Sequence, residues 1–369
     1  MGSVYGKNIK VSIFGESHGP AIGVVIDGLP SGFEINPEII SKEMGRRKPT
    51  SLVYSTNRKE ADEVEILSGI YNGKTTGTPI CAMIKNKDCK SKDYDNLVSL
   101  IRPGHADLSG FVRYKGYNDI RGSGHFSGRL TAPIVFAGAI ASQILAVYDI
   151  NIGSHIDSIY DFHDLRFDHT QITKEQLIML RSMDIPVNDR SCRESYLEII
   201  NDAKSKSDSV GGVVETAITG VSAGIGSPIF DNVEARLSSI LFSIPAVKGV
   251  EFGEGFGITT LYGSEANDSF YLLDGNIYTR TNNNGGINGG ITNGMPIVFR
   301  TAIKPTSSIA KEQDTVDMKK GSDAKLKVKG RHDACIVPRV VPVIDAASAI
   351  AILDLLIEHY GLEGFNKGR

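Results

Sequence analysis

Apolar positions along the chain fall into short β-branched runs and a few longer stretches, and their spacing predicts most of the elements. Residues 9–14 and 21–27 read as strands joined by the turn Gly15-Glu16-Ser17-His18-Gly19-Pro20. Asn36-Pro37-Glu38 is a helix start, with Asn as cap, Pro at the first helical position and an acid in the first turn. That helix is expected to run to about Met44 and to deliver Arg46, Arg47 and Lys48 just past its end. Residues 63–67 and 78–84 look like further strands, as do 213–221, 248–256 and 297–303. Residues 173–182 and 190–206 carry helical periodicity with many charges, so surface helices are expected there. An amphipathic helix over 231–244 is capped by Asp231 or Asn232 and ended by Pro245.

Two stretches are apolar nearly all round. Residues 131–148 (TAPIVFAGAIASQILAVY) carry no charge, close to the length of a membrane span, but Thr131, Pro133, Ser142 and Gln143 favour a buried core helix. Residues 343–360 predict a second such helix, closed by Gly361. Strand pairs around two apolar helices, without regular strand–helix alternation, give an α+β fold with antiparallel sheets packed against buried helices. No low-complexity linker divides the chain, so residues 1–369 are expected to form a single domain.

Composition narrows the function classes. A formal net charge of -3 gives no general attraction to nucleic acid or to an anionic membrane, so an anionic ligand must be held by a local basic cluster. The four cysteines, Cys81, Cys89, Cys192 and Cys335, are scattered without a CxxC pair, which argues against a disulfide framework or a zinc site and for a reducing compartment. The N-terminus has no apolar stretch long enough for a signal peptide, and a cytoplasmic location is expected.

Several loops hold chemistry-bearing residues. Gly69 to Thr75 imitates a phosphate-binding loop, but three residues rather than four separate its glycines and a strand rather than a helix follows, so a structural turn is expected. His18 and His105 each sit in a glycine-flanked turn, where backbone and side chain can both approach a ligand, although a loop histidine is by itself more often merely solvated. Residues 119–131 combine Arg121, His125, Ser127 and Arg129 with three glycines directly before a buried helix, which suits a phosphate or carboxylate; a plain glycine-rich turn fits the same segment equally well. Arg46-Arg47-Lys48 reads equally as an anion site or a solvated helix end, and 282–290 as a set of tight turns. Lys304 to Ser308 reads as a cation with three hydroxyls or, more readily, an ordinary surface loop, and Arg331-His332-Asp333 equally as an acid–base group or a local ion pair. The residues by themselves indicate an enzyme for a multiply anionic substrate, with His and Asp as acid–base groups.

Taken together, GESHGPAIGVVIDGLPSG (15–32), RPGHAD (102–107), SGRLTAPIVFAGAIA (127–141), NNNGGINGGITNGMPI (282–297), KPTSSI (304–309) and GRHDACIVPRVVPV (330–343) resemble the chorismate synthase family in order and spacing over nearly the whole chain. The resemblance implies a β-α-β sandwich, a homotetramer, and a 1,4-elimination of phosphate from 5-enolpyruvylshikimate 3-phosphate that requires reduced FMN. It implies His18 as the acid beside the departing phosphate, His105 as the residue that protonates or polarises reduced FMN, and Asp333 as the partner that helps flavin N5 take up the C6 proton. Ser17, Arg46, Arg47, Arg129 and Arg331 are the implied substrate ligands. His125, Phe126, Ser127, Ala246, Gly289, Lys304, Pro305, Thr306, Ser307, Ser308 and Arg331 are the implied FMN positions, and Arg47 is also an implied NADPH contact. No metal is implied. The chain departs from the common family pattern at Val53, His125, Leu130, Pro245, Ala334 and Asp345. Its compactness makes an external flavin reductase the expected partner.

Overall fold

The computed structural model describes residues 2–48, 62–87, 99–328 and 332–367. Two five-stranded antiparallel sheets form the outer layers. The first has strands β1 (Val4–Tyr5), β2 (Lys10–Gly15), β3 (Ala21–Asp27), β4 (Val64–Ser68) and β5 (Ile80–Lys85), in the order β1-β2-β3-β5-β4. The second has β6 (Asn151–Ile159), β7 (Phe162–His163), β8 (Gly212–Thr219), β9 (Val247–Phe252) and β10 (Ile297–Ile303), in the order β9-β10-β8-β6-β7. Among the described residues, seven α-helices of seven or more residues complete the frame: α1 (Pro37–Arg47), α2 (Asp107–Tyr114), α3 (Thr131–Ala146), α4 (Lys174–Leu180), α5 (Cys192–Ser205), α6 (Val233–Leu241) and α7 (Val337–Lys367).

Helices α3 and α7 lie between the sheets and pack against each other. Helix α3 faces β2, β3 and β5, and α7 faces β6 and β8. Neither has a polar face: α3 buries almost every residue from Thr131 to Leu145, and the most apolar window of α7 is buried throughout. Both are long and apolar enough to cross a membrane, yet their surface is spent on protein. The layers share one continuous apolar core, from Ile9 and Ile22 through Phe136 and Ile140 to Ile344, Leu353 and Phe299.

Local chemistry explains the boundaries. Asn36 accepts a 2.8 Å bond from the Glu38 backbone N–H, and Pro37 follows at the first helical position. Arg46 and Arg47 lie inside the last turn of α1, where they complement its dipole, rather than beyond its end. Asn232, not Asp231, caps α6 through a bond from Ala235 N. The segment that imitates a phosphate loop is a two-stranded hairpin, Ile70–Tyr71 against Lys74–Thr75, turning through Asn72 and Gly73 with positive φ at both. Helix α7 starts at Val337, six residues earlier than the sequence pattern suggests, and carries Pro342 in its interior.

Candidate active site

A cavity of about 620 Å³ opens where loops from both layers meet. Its wall comes from Arg47 at the end of α1, the 102–106 loop before α2, the 122–129 loop before α3, the 242–248 connection between α6 and β9, the 304–308 loop after β10, and the first turns of α7. Among the described residues, six cationic side chains line it, Arg47, Arg102, Arg129, Lys248, Lys304 and Arg339, and one carboxylate, that of Asp333. Asp62 and Asp107, just outside the wall, pair Arg47, Arg129 and Arg102, so the lining is rich in oriented cations although the whole chain carries -3.

The 122–129 loop is shaped by its backbone. Gly122, Ser123 and Gly124 all have positive φ, so the chain turns sharply under the cavity. Ser17 N–H donates to Gly124 O at 3.1 Å, which docks the 15–20 turn against this loop. A Cβ on Gly122 would lie 2.3 Å from His18 Cδ2 and 2.9 Å from Ser17 Oγ, so both side chains stand directly behind the wall at Gly122. Ser17 Oγ is fully buried and has no hydrogen-bond partner among the described residues. His125 lines the cavity and ties the loop to the first sheet, with Nδ1 2.9 Å from Gly15 O and Nε2 3.2 Å from Ser3 Oγ. Ser127 accepts a 3.2 Å bond from Arg129 N–H and caps the turn that leads into α3.

Arg47 and Arg129 converge on one buried carboxylate. Arg47 Nη1 donates to Asp62 Oδ2 at 2.9 Å, and Arg129 Nη1 donates to Asp62 Oδ1. Arg47 Nε also donates to Thr131 Oγ1 at 3.0 Å, and Arg129 Nε to Asn86 Oδ1 at 3.1 Å. The Asp62 side chain has no exposed surface. Two guanidiniums held in place on one carboxylate form a clamp pre-oriented for a phosphate or carboxylate.

His105 is held by a second hub. Arg102 Nε and Nη2 form a fork on Asp107, at 2.8 and 2.7 Å, and Arg102 also donates to Ser123 Oγ at 3.1 Å and Ser308 Oγ at 3.3 Å. This joins three loops of the cavity wall. His105 Nδ1 lies 2.7 Å from Asp107 Oδ1. Burial pushes the Asp107 carboxyl up, but the hydrogen bonds from Arg102 and His105 outweigh it and hold the group well below the usual carboxylate range. Lys304 Nζ donates to Gly104 O, which pins the 304–308 loop to the same turn.

Asp333 closes the far side. Its Oδ2 accepts from Arg339 Nη1, and Arg339 Nε donates to Arg47 O at 3.2 Å, so α1 and α7 are stitched together at the cavity. Asp333 Oδ1 is buried without a hydrogen-bond partner among the described residues, as is Thr306 Oγ1. Orphaned polar atoms of this kind at a cavity wall suit a polar ligand. Ala246 lines the cavity at φ 77, an unusual backbone for alanine, and its carbonyl accepts from Lys304 N–H at 3.0 Å.

Of the residues expected from the sequence, the structure brings His105, Asp333, Arg47, Arg129, His125, Phe126, Ser127, Ala246 and the 304–308 loop to one cavity. His18 and Ser17 stand immediately behind it. Arg46 is not in the wall: its guanidinium is consumed by Glu43 at 2.7 Å and Asp345 at 2.9 Å in the buried contact of α1 with α7. Gly289 is also outside, at the exposed tip of the 287–292 hairpin. Arg331 and Val53 lie outside the described residues. Asp62, Arg102, Asp107, Lys248 and Arg339 were not among the expected site residues. Arg102 and Asp107 belong to the RPGHAD segment, whereas nothing near Asp62 in the sequence signals its two partners.

Comparisons with known proteins agree in one direction. The chain matches the sequence profile of the family described as Chorismate synthase over residues 9–357. It is 44% identical over 359 residues to the chorismate synthase of Thermococcus kodakarensis, covering 97% of this chain and 99% of that protein. It is 44% identical to that of Synechocystis sp. over 359 residues, with 97% and 98% covered, and 45% identical to that of Pyrococcus abyssi over 352 residues, with 95% and 97% covered. Among solved structures it superimposes on a crystal structure of chorismate synthase with a TM-score of 0.77 at 30% identity, covering 98% of this chain and 96% of that one. A match running from Ile9 to Ile357, over a sandwich of the same architecture and a cavity built for anions, means that the chain belongs to the chorismate synthase family, carbon–oxygen lyases acting on phosphates at the last step of the shikimate pathway.

Proposed function

We propose that the cavity takes 5-enolpyruvylshikimate 3-phosphate together with reduced FMN, and that chorismate forms there by loss of phosphate from C3 and hydrogen from C6. The observation that carries this reading is the convergence of the shared Arg47–Asp62–Arg129 clamp, His105 and the orphaned Asp333 Oδ1 on one cationic cavity. The volume lies within the roughly 300–1,000 Å³ usual for small-molecule sites. The residues also fit a flavin phosphate and ring: Lys304, Ser307 and Ser308 offer donors, Thr306 Oγ1 has no partner among the described residues, and Phe126 and Phe242 give apolar surface. Ser127, Ala246, Lys304 to Ser308 and His125 are the residues that would hold the cofactor. Reduced FMN held there would supply electron density for the loss of phosphate.

The chain's own groups have separable tasks. Arg47 and Arg129 hold the substrate's anionic groups, which would otherwise repel one another. His18, behind Gly122, gives a proton to the departing phosphate oxygen. His105, in the cavity wall, serves the proton chemistry of the cofactor side, and Asp333 Oδ1 moves the proton lost from C6. The reading extends to a homotetramer in the cytoplasm that receives reduced flavin from an external reductase.

The test is chorismate formation under anaerobic conditions with purified protein, substrate and FMN, with and without dithionite. Chorismate only with reduced flavin is the expected result. NADPH in place of dithionite should give none; turnover with NADPH would assign the chain its own reductase activity and a nucleotide contact at Arg47. A folded protein that binds FMN and makes no chorismate under any of these conditions would overturn the reading in favour of an anion-binding module.

A further inference from the structure

We propose that Asp107 is a positioning residue that fixes His105 as its Nδ1–H tautomer and thereby presents Nε2 to the cavity as the atom that exchanges protons. The proposal rests on the assignment of His105 to the flavin-side proton chemistry, and adds the group that makes that assignment work. Asp107 itself is not in the cavity wall, whereas Ala106 and His105 are. Whatever it does for the reaction it must do through a neighbour.

The hydrogen-bond inventory decides the tautomer. Two groups approach His105 Nδ1: Asp107 Oδ1 at 2.7 Å and Arg102 Nη2 at 3.0 Å. A guanidinium only donates and an ionised carboxylate only accepts, so Nδ1 cannot satisfy both with one in-plane position. Arg102 Nη2 has two hydrogens and two better-defined acceptors, Asp107 Oδ1 at 2.7 Å and Ser123 Oγ at 3.1 Å. It has no hydrogen left that requires Nδ1. An unprotonated Nδ1 would instead set its lone pair against a carboxylate oxygen at 2.7 Å, a repulsive contact. The consistent arrangement is Nδ1–H donating to Asp107 Oδ1, with Nε2 as the nitrogen left for the cavity.

Asp107 is built to stay charged in this role. It opens α2, where the helix dipole favours an anion, and Arg102 grips it in a two-point fork from a side chain that is only 4% exposed. The Arg102 backbone N–H adds a further bond to Oδ2 at 2.9 Å. Through Arg102 the same carboxylate is tied to Ser123 and Ser308 on the two adjoining loops. The imidazole is therefore fixed in rotation as well as in tautomer, the same division of labour as a carboxylate that orients a histidine in a hydrolase triad.

The test uses the full-length chain labelled with 15N at histidine, the His105 signals being assigned by their loss in His105→Gln. In the unmodified protein, long-range 1H–15N spectra at pH 8 should show the Nδ1–H tautomer. In Asp107→Asn the amide can turn its NH2 toward Nδ1, and the ring should move wholly or largely to Nε2–H. In the same variant kcat for chorismate formation with dithionite-reduced FMN should fall on the order of 10²- to 10⁴-fold with KM for substrate within about threefold. Asp107→Glu, which keeps the carboxylate, should retain Nδ1–H and recover part of kcat. An Nε2–H tautomer in the unmodified protein overturns the proposal, and that single spectrum decides the matter even if Asp107→Asn does not fold. An unchanged tautomer in folded Asp107→Asn overturns it as well, and leaves Asp107 as a brace only. If the tautomer shifts as expected but even the unmodified protein makes no chorismate, the positioning role stands and the functional reading fails.

Discussion

Gly122 is the residue at which backbone conformation and chemistry are most tightly coupled. Its φ of 58 disfavours any side chain, and a methyl group there would meet His18 Cδ2 at 2.3 Å and Nε2 at 2.6 Å. Gly122→Ala should therefore displace His18 from its place behind Gly122 and lower kcat by roughly 10- to 1,000-fold, through loss of the general acid. Gly73 supplies the control, since it has φ 73 but nothing within 4 Å of a new Cβ. Gly73→Ala carries the same backbone strain, about 1–2 kcal/mol, and should leave kcat unchanged. Steady-state kinetics on the two variants separates strain from collision; equal turnover in both would remove His18 from the reaction. This scale also shows what the sequence discloses. His18 and His105 are legible because each stands in a glycine-flanked turn. Asp62 is not, because its partner Arg129 is 67 residues away, and Arg339 meets the Arg47 carbonyl across 292 residues. Arg46 and Arg47 are adjacent and chemically alike in the sequence, yet one helical step turns Arg46 into the core ion pair and Arg47 into the cavity.

Among elements, the crossing of α3 and α7 is what fixes the distance between the two layers. Gly138 of α3 lies so close to α7 that a Cβ would come within 2.3 Å of both Cα and Cβ of Ala346. Gly138→Ala gains up to about 1 kcal/mol of helix propensity, but the helices must separate to admit it, at roughly 1–3 kcal/mol. The expected net result is a lower midpoint in denaturant unfolding. Gly45→Ala in α1, where a Cβ meets nothing within 4 Å, should instead raise the midpoint. A rise in both would show that α3 and α7 move apart freely. Element types were largely legible: α3, α6 and the strand pairs follow directly from apolar spacing and caps. Strand β6 was not, because Ser154, His155, Asp157 and Ser158 are buried polar residues that mask the alternation of a strand. The start of α7 was hidden by Pro342, which reads as a helix boundary in sequence but is accommodated inside the helix.

For the whole molecule, the second sheet contains a buried charge cluster that makes stability depend on pH far from the cavity. His155 of β6 faces Glu215 of β8 across the strand pair. Its Nδ1 lies 2.9 Å from Asp164 and its Nε2 2.8 Å from Glu215, which also takes the Phe167 N–H and approaches His169 Nε2 at 3.1 Å. Asp164 is further bonded by the Asn188 and Asp189 N–H groups. Burial pushes the imidazole down, but the hydrogen bonds and charges of the two carboxylates outweigh it and bring His155 up to about 9. A basic group raised in the folded state contributes stability that is complete below about pH 6.5, its unfolded value, and is lost as pH rises through about 9. Glu215 runs the other way: burial raises it, the bonds from His155 and His169 prevail, and it sits at about 2, so its contribution is complete above about pH 4.5 and is lost on acidification toward 2. Unfolding by urea at pH 6.5 and at pH 10 should therefore show a loss in the unmodified protein larger by on the order of 3 kcal/mol than in His155→Gln. His155→Gln should also be less stable at pH 6.5, because it leaves two buried carboxylates without their shared cation. Parallel pH curves for the two proteins would mean that His155 is neutral in the fold. The sheet would then be held at this point by hydrogen bonding alone, with one of the two carboxylates carrying the proton.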